Sequence, residues 1–208
     1  MSTTRISNRN VAQADDSRGP GIKIYLAFIP WVMFTLVAQH STLKWAAITA
    51  LAVSVAIALP SLLKGRPKLL EIGAVLAFAG FTVVALNDPG ASEWVTRYAR
   101  AIAAAMLALI AFGSLLVVPF TELPFTEQYA RESVPRQFWS SPRFQRLNRQ
   151  LTLMWALVFT AMVPAHVIAG AIDTPRANLI FNWAIPIVLI VWAAKRTAKV
   201  SDAPAQEA

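Results

Sequence analysis

Cysteine is absent from the 208 residues, which excludes disulfides, cysteine-ligated zinc, iron–sulfur clusters and thiol nucleophiles. Charge is scarce as well. Asp, Glu, Lys and Arg make up 14% of the chain, against roughly 25% in soluble domains. Histidine occurs only at His40 and His166, with no His-x-x-x-His spacing and no carboxylate beside either. The strict alternation of apolar and polar residues that a membrane-spanning strand requires is missing, so a barrel is excluded in favour of helices. Acidic residues number 11 against 19 basic ones, a formal charge of +8.

What fills the chain is apolar. Hydrophobic residues are 56% and the mean hydropathy is +0.51. Six continuous apolar stretches, 22–39, 45–63, 69–87, 101–118, 151–170 and 177–194, are separated by short charged segments. Each can cross a hydrocarbon core of about 30 Å as a helix, at 1.5 Å per residue. The expected fold is an all-α membrane protein with six transmembrane helices and an interfacial cytoplasmic segment between helices 4 and 5. The membrane domain takes 22–197, between disordered cytoplasmic tails at 1–21 and 198–208. No separate catalytic domain fits in what remains.

The basic residues are distributed unevenly. Arg5, Arg9, Arg18, Lys23, Lys64, Arg66, Lys68, Arg131, Arg136, Arg143, Arg146, Arg149, Lys195, Arg196 and Lys199 fall on one side of a six-span chain, and only Lys44, Arg97, Arg100 and Arg176 on the other. Fifteen against four is the positive-inside pattern. It predicts a multi-pass protein of the bacterial inner (cytoplasmic) membrane with both termini cytoplasmic, and it explains the net charge as orientation and lipid attraction, without nucleic acid.

Turn signals mark the connections. Lys64-Gly65-Arg66-Pro67 predicts a tight turn, Asn87-Asp88-Pro89-Gly90 another, with Ser92 capping a helix that opens at Glu93 with interfacial residues Trp94, Arg97, Tyr98 and Arg100. Ser141-Pro142 predicts an N-cap and first helical residue, so that 143–149 is helical and runs into the fifth span. The connection 119–150 mixes Phe120, Phe125, Tyr129, Phe138, Trp139 and Phe144 with acids and five arginines. That composition predicts a short helix in the cytoplasmic interface, capped by Thr121 or Thr126 and stopped by Pro135, with its rings at the acyl boundary. Tyr129, Arg131, Trp139 and Phe144 are the candidate contacts to a partner protein or lipid.

Phe28-Ile29-Pro30, Lys68-Leu69 opening the third span, a proline-bearing loop after the fourth, and Leu151-Thr152-Leu153-Met154-Trp155-Ala156-Leu157-Val158-Phe159 opening the fifth resemble the bacterial intracellular septation protein A family. The resemblance implies an inner-membrane protein of envelope maintenance and cell division, acting with other inner-membrane or division proteins, and carries no catalytic residues.

Other chemistries stand on few residues. His40 and His166 both fall in the outer part of the membrane, where two imidazoles could ligate a haem iron or a metal, although packing is the commoner role. Glu71 sits in the first turn of the third span beside Lys68 and reads as structural. Pro30, Pro164 and Pro186 interrupt spans, and Gln39, Asn148, Asn178 and Asn182 add polar groups, which keeps a small-solute or ion pathway open. An enzyme is not expected: Ser133, Ser140 and Ser141 have no histidine on their side, and Glu122, Glu127 and Glu132 recur every five residues, off any common helix face. No cofactor is assigned.

Overall fold

The computed structural model describes residues 21–87, 89–116 and 123–201, and the expected tails at 1–21 and 198–208 lie almost wholly outside them. The described residues form α1 (Gly21–His40), α2 (Leu43–Leu63), α3 (Leu69–Asn87), α4 (Pro89–Leu116), α5 (Phe125–Ala130), α6 (Pro142–Ile172), α7 (Pro175–Ala177) and α8 (Ile185–Ser201). A 3-10 turn occupies Arg136–Phe138, and a π-helical segment, Asn178–Ala184, joins α7 to α8. There is no strand among the described residues.

Five helices are long and apolar enough to cross a membrane: Leu43–Leu63, Leu69–Asn87, Glu93–Leu116, Pro142–Ile172 and Pro175–Val200. The apolar helix Tyr25–His40 is shorter. Of the six spans expected, five are thus matched by helices of spanning length among the described residues, and the first corresponds to a shorter apolar helix.

Local chemistry accounts for most boundaries. Gly65 closes the turn after α2 at φ +64°, a conformation open to glycine at little cost. Ser141 caps α6, its hydroxyl accepting from the Phe144 amide at 3.3 Å, with Pro142 as the first helical residue. Asp173 ends α6 in the left-handed region at φ 50°. One boundary differs from expectation: the turn expected at 87–90, with Ser92 as cap, gives way to a helix that is already formed at Pro89. In the last span, the helix is widened to π geometry over Asn178–Ala184.

Packing is built on small residues. α4 and α6 lie antiparallel with the most extensive contact of any pair, followed by α2 with α3 and α1 with α2. Ala46, Ala47, Ala50, Ala74, Ala104, Ala111 and Ala156 are almost fully buried at these seams, and Phe34, Phe78, Phe81 and Trp31 form an aromatic cluster between α1 and α3. At Gly170, α4 and α6 approach closely: a Cβ there would sit 2.8 Å from the Tyr98 ring and 3.1 Å from the Arg97 carbonyl oxygen. Large aliphatic residues, among them Leu63, Leu76, Leu109, Leu116 and Val188, face outward instead.

Candidate functional site

At one end of the bundle, α5 is docked into it. The Phe125 amide donates to the Ser114 hydroxyl at 3.1 Å, and the Leu69 amide donates to Gln128 Oε1 at 2.9 Å. Thr126 donates through Oγ1 to the Asn148 carbonyl at 2.8 Å and lies 2.7 Å from Thr152 Oγ1. Thr126, Asn148 and Thr152 are all buried. The Thr126 hydroxyl is therefore a tertiary tie and not the helix cap expected of it; Pro124 stands at the cap without a side-chain bond.

Charge is neutralised within the same end. Lys68 pairs with Glu71 at 3.4 Å and Glu132 at 2.7 Å, and buried Glu71 also accepts from the Ser61 hydroxyl. Glu127, buried, is held by Arg131 Nη2 at 2.8 Å and Nε at 3.1 Å. The placement of Glu71 beside Lys68 agrees with its structural reading.

The four expected contact residues separate here. Tyr129 is 2% exposed, its ring under the Lys68 ammonium at 4.5 Å, so it packs the interior. Burial, with the Glu71 and Glu132 carboxylates adding to it, holds the Tyr129 phenol well above the usual tyrosine range. Arg131 and Arg136 lie over the Trp139 ring, 4.8 and 5.6 Å from its centroid, and the indole donates to the Val134 carbonyl at 2.8 Å. Trp139, Arg131 and Phe144 remain partly exposed. The expectation that the rings of this segment sit at the acyl boundary thus fails for Phe125 and Tyr129, because their cross-segment partners draw α5 inward. Residues 117–122, including Phe120, Thr121 and Glu122, lie outside the described residues.

At the other end there are two cavities. One, about 930 Å³, is polar and is lined by Gln39, Thr42, Glu93, Arg97, Asp173, Asn178 and others, with the Arg97–Asp173 pair at 3.3 Å on its exposed rim. The second, about 450 Å³, is an apolar cleft between α1, α4, α6 and the last helix, lined by Phe28, Trp31, Leu107, Phe159 and Ile187. Val32, Leu36 and Ile187 on its edges are exposed, so it opens sideways between α1 and the last helix. Arg100 and Asn182 line both cavities and mark where they meet.

The two histidines do not form one site. His40 is exposed and its Nδ1 contacts the Leu36 carbonyl 3.1 Å away in its own helix. His166 is buried in the cleft, with Nδ1 2.7 Å from Asn182 Oδ1. Since the Asn182 amide nitrogen donates to Asn178 Oδ1 at 2.8 Å, its oxygen is the acceptor and His166 Nδ1 carries the proton. Each imidazole thus has a partner other than its fellow, and no group of three His, Asp or Glu that could hold a metal occurs among the described residues.

Sequence reasoning set Arg100 aside as part of an interfacial turn. In the structure its Nε is shielded and has no acceptor, and its guanidinium stands 5.9 Å from the centre of the Trp183 ring. Trp31 Nε1, in the same cleft, is also a shielded donor without a partner. The available signal was position: Arg100 is the last charge before the uninterrupted apolar run of α4. Against known protein families, curated proteins and solved structures the chain finds no match.

Proposed function

We propose that this chain is a non-enzymatic, multi-pass protein of the bacterial inner membrane, crossing six times with both termini cytoplasmic, that takes a bilayer-borne small molecule into the cleft between α1, α4, α6 and the last helix. The envelope role comes from the resemblance to the septation protein A family, and contact with other membrane proteins through Arg131, Trp139 and Phe144 remains part of the reading. One observation carries the ligand: an apolar cleft of about 450 Å³, within the usual range of small-molecule sites, that opens sideways. The outward aliphatic residues and inward alanines support a lipid surround, since helices in lipid associate through close packing of small residues and not through hydrophobic exclusion.

Val32→Trp with Ile187→Trp would fill the mouth of the cleft from two exposed positions. Solvent extracts of the purified wild type should yield a hydrophobic molecule near one per chain, depleted in the double variant. Identical extracts from the two proteins would defeat the reading. Orientation is tested separately: the absence of cysteine lets single cysteines at Gly65, Ser133 and Thr174 report sidedness, the first two expected inside and the third outside.

A further inference from the structure

Resting on the reading that the cleft takes a molecule from the bilayer, we infer that this molecule is a single-chain amphiphile with an oxyanion headgroup, a phosphate or carboxylate, held at Arg100 with its chain along Trp31. An arginine guanidinium keeps its charge at any ordinary pH and presents donors only. Among the described residues no acid forms an ion pair with Arg100; Glu93 lines the polar cavity without bonding to it, and Asp173 is engaged by Arg97. Arg100 is partly exposed, but its Nε is shielded beside an apolar space, and a charged donor left unmet there is costly unless something satisfies it.

Asn182 bonds both Asn178 and His166 Nδ1. The shielded groups left without a partner there are Arg100 Nε and Trp31 Nε1, both donors, the latter on a side chain 5% exposed. An occupant that completes this end must therefore accept hydrogen bonds and carry negative charge, and an oxyanion does both.

The volumes set the remainder. At roughly 30 Å³ for a water-sized group, a cleft of 450 Å³ holds about fifteen such groups, the bulk of one hydrocarbon chain. The headgroup has the 930 Å³ polar cavity on its far side. The π-helical segment carries both Asn182, which lines the two cavities with Arg100, and Trp183, whose ring centre is 5.9 Å from the Arg100 guanidinium.

Equilibrium binding of radiolabelled hexadecyl phosphate to the full chain in discs of zwitterionic lipid tests the assignment. Hexadecyl phosphate should bind about 10- to 100-fold more tightly than hexadecanol, the ratio expected for hydrogen bonds to a charged group. Arg100→Gln should bring it down to the alcohol's affinity while hexadecanol binding stays, Arg100→Lys should keep part of the preference, and Trp31→Phe should lose a smaller share. Equal binding of phosphate and alcohol by the wild type would overturn the oxyanion assignment and leave the cleft standing. Displacement by inorganic phosphate alone would overturn the role of the chain, and tighter binding of a two-chain phosphatidic acid would overturn the single chain. Failure of every chain to bind, whatever its headgroup, would sink the cleft itself. Should Arg100→Gln not fold, the wild-type ratio and Arg100→Lys decide the matter.

Discussion

Replacing Thr152 by valine deletes one hydroxyl at a position with no exposed surface and nearly the same volume. In the structure that hydroxyl lies 2.7 Å from Thr126 Oγ1 and accepts the Thr126 amide at 3.4 Å. Valine takes both partners away, while Thr126 still reaches the Asn148 carbonyl at 2.8 Å. A buried amide left without its acceptor costs about 1 to 3 kcal/mol. The loss falls on the docking of α5 more than on the bundle, because α1 to α4 and α6 pack far more extensively on one another than on α5. Opening of this segment should therefore become about 5- to 150-fold more frequent. Trypsin reads this directly, since Arg131 and Arg136 follow α5 and lie against Trp139 in the docked segment. Limited digestion under conditions where reclosing outpaces cleavage should cut Thr152→Val faster by that factor, with Thr152→Ser close to wild type. Adding Thr126→Val should cost less than the two single losses together, because the partners are shared. Unchanged cleavage in Thr152→Val, with helix content intact, would refute the idea that these hydroxyls hold α5.

Three further outcomes follow from named contacts. Tyr129→Phe removes a phenol that has no hydrogen-bond partner and is neutral when folded. With the folded pKa raised above the unfolded value of about 10, the wild type keeps its full stability below pH 10 and loses up to about 1.4 kcal/mol per pH unit above it, so thermal melts between pH 9 and 11 should fall less for Tyr129→Phe. Lys68→Met leaves the buried Glu71 carboxylate with the Ser61 hydroxyl but without its counter-ion, and should lower stability in detergent by about 3 to 5 kcal/mol, with Glu71→Gln recovering part of it in the double variant. Gly170→Ala places a methyl 2.8 Å from the Tyr98 ring and should cost about 1 to 3 kcal/mol, read as a lower melting temperature, with Tyr98→Ala relieving the clash.

Features carried by neighbours in the chain were legible beforehand. The apolar runs, the glycine turn at Gly65, the Ser141 cap and the Lys68–Glu71 contact depend on residues at most four apart, and all are present. The inward docking of α5 was not legible because its partners are far off: 11 residues from Phe125 to Ser114, 22 from Thr126 to Asn148, 59 from Gln128 to Leu69. An aromatic, charged segment has the same composition whether it lies on an interface or under a lid of its own partners. Arg100 was misjudged for a related reason. Charge at a span's edge usually reaches water, and only the packing of α4 against α6 and the widened turn at Asn178–Ala184 shows its guanidinium against Trp183 and the cleft.

The docking of α5 also sets an order of events during synthesis. Its anchors at Asn148 and Thr152 are made after it, the nearer by 22 residues. At about 5 to 20 residues per second, the ribosome leaves the short helix waiting on the order of 1 to 4 s before its seat exists. During that interval Glu127 has no tertiary partner to reach for, yet it need not remain a bare charge: Arg131 is one helical turn on and already available. Lys68 and Ser114, by contrast, come off the ribosome early and receive their partners late. The segment between α4 and α6 thus docks out of chain order, carrying its own counter-ion until the helix that receives it has been built.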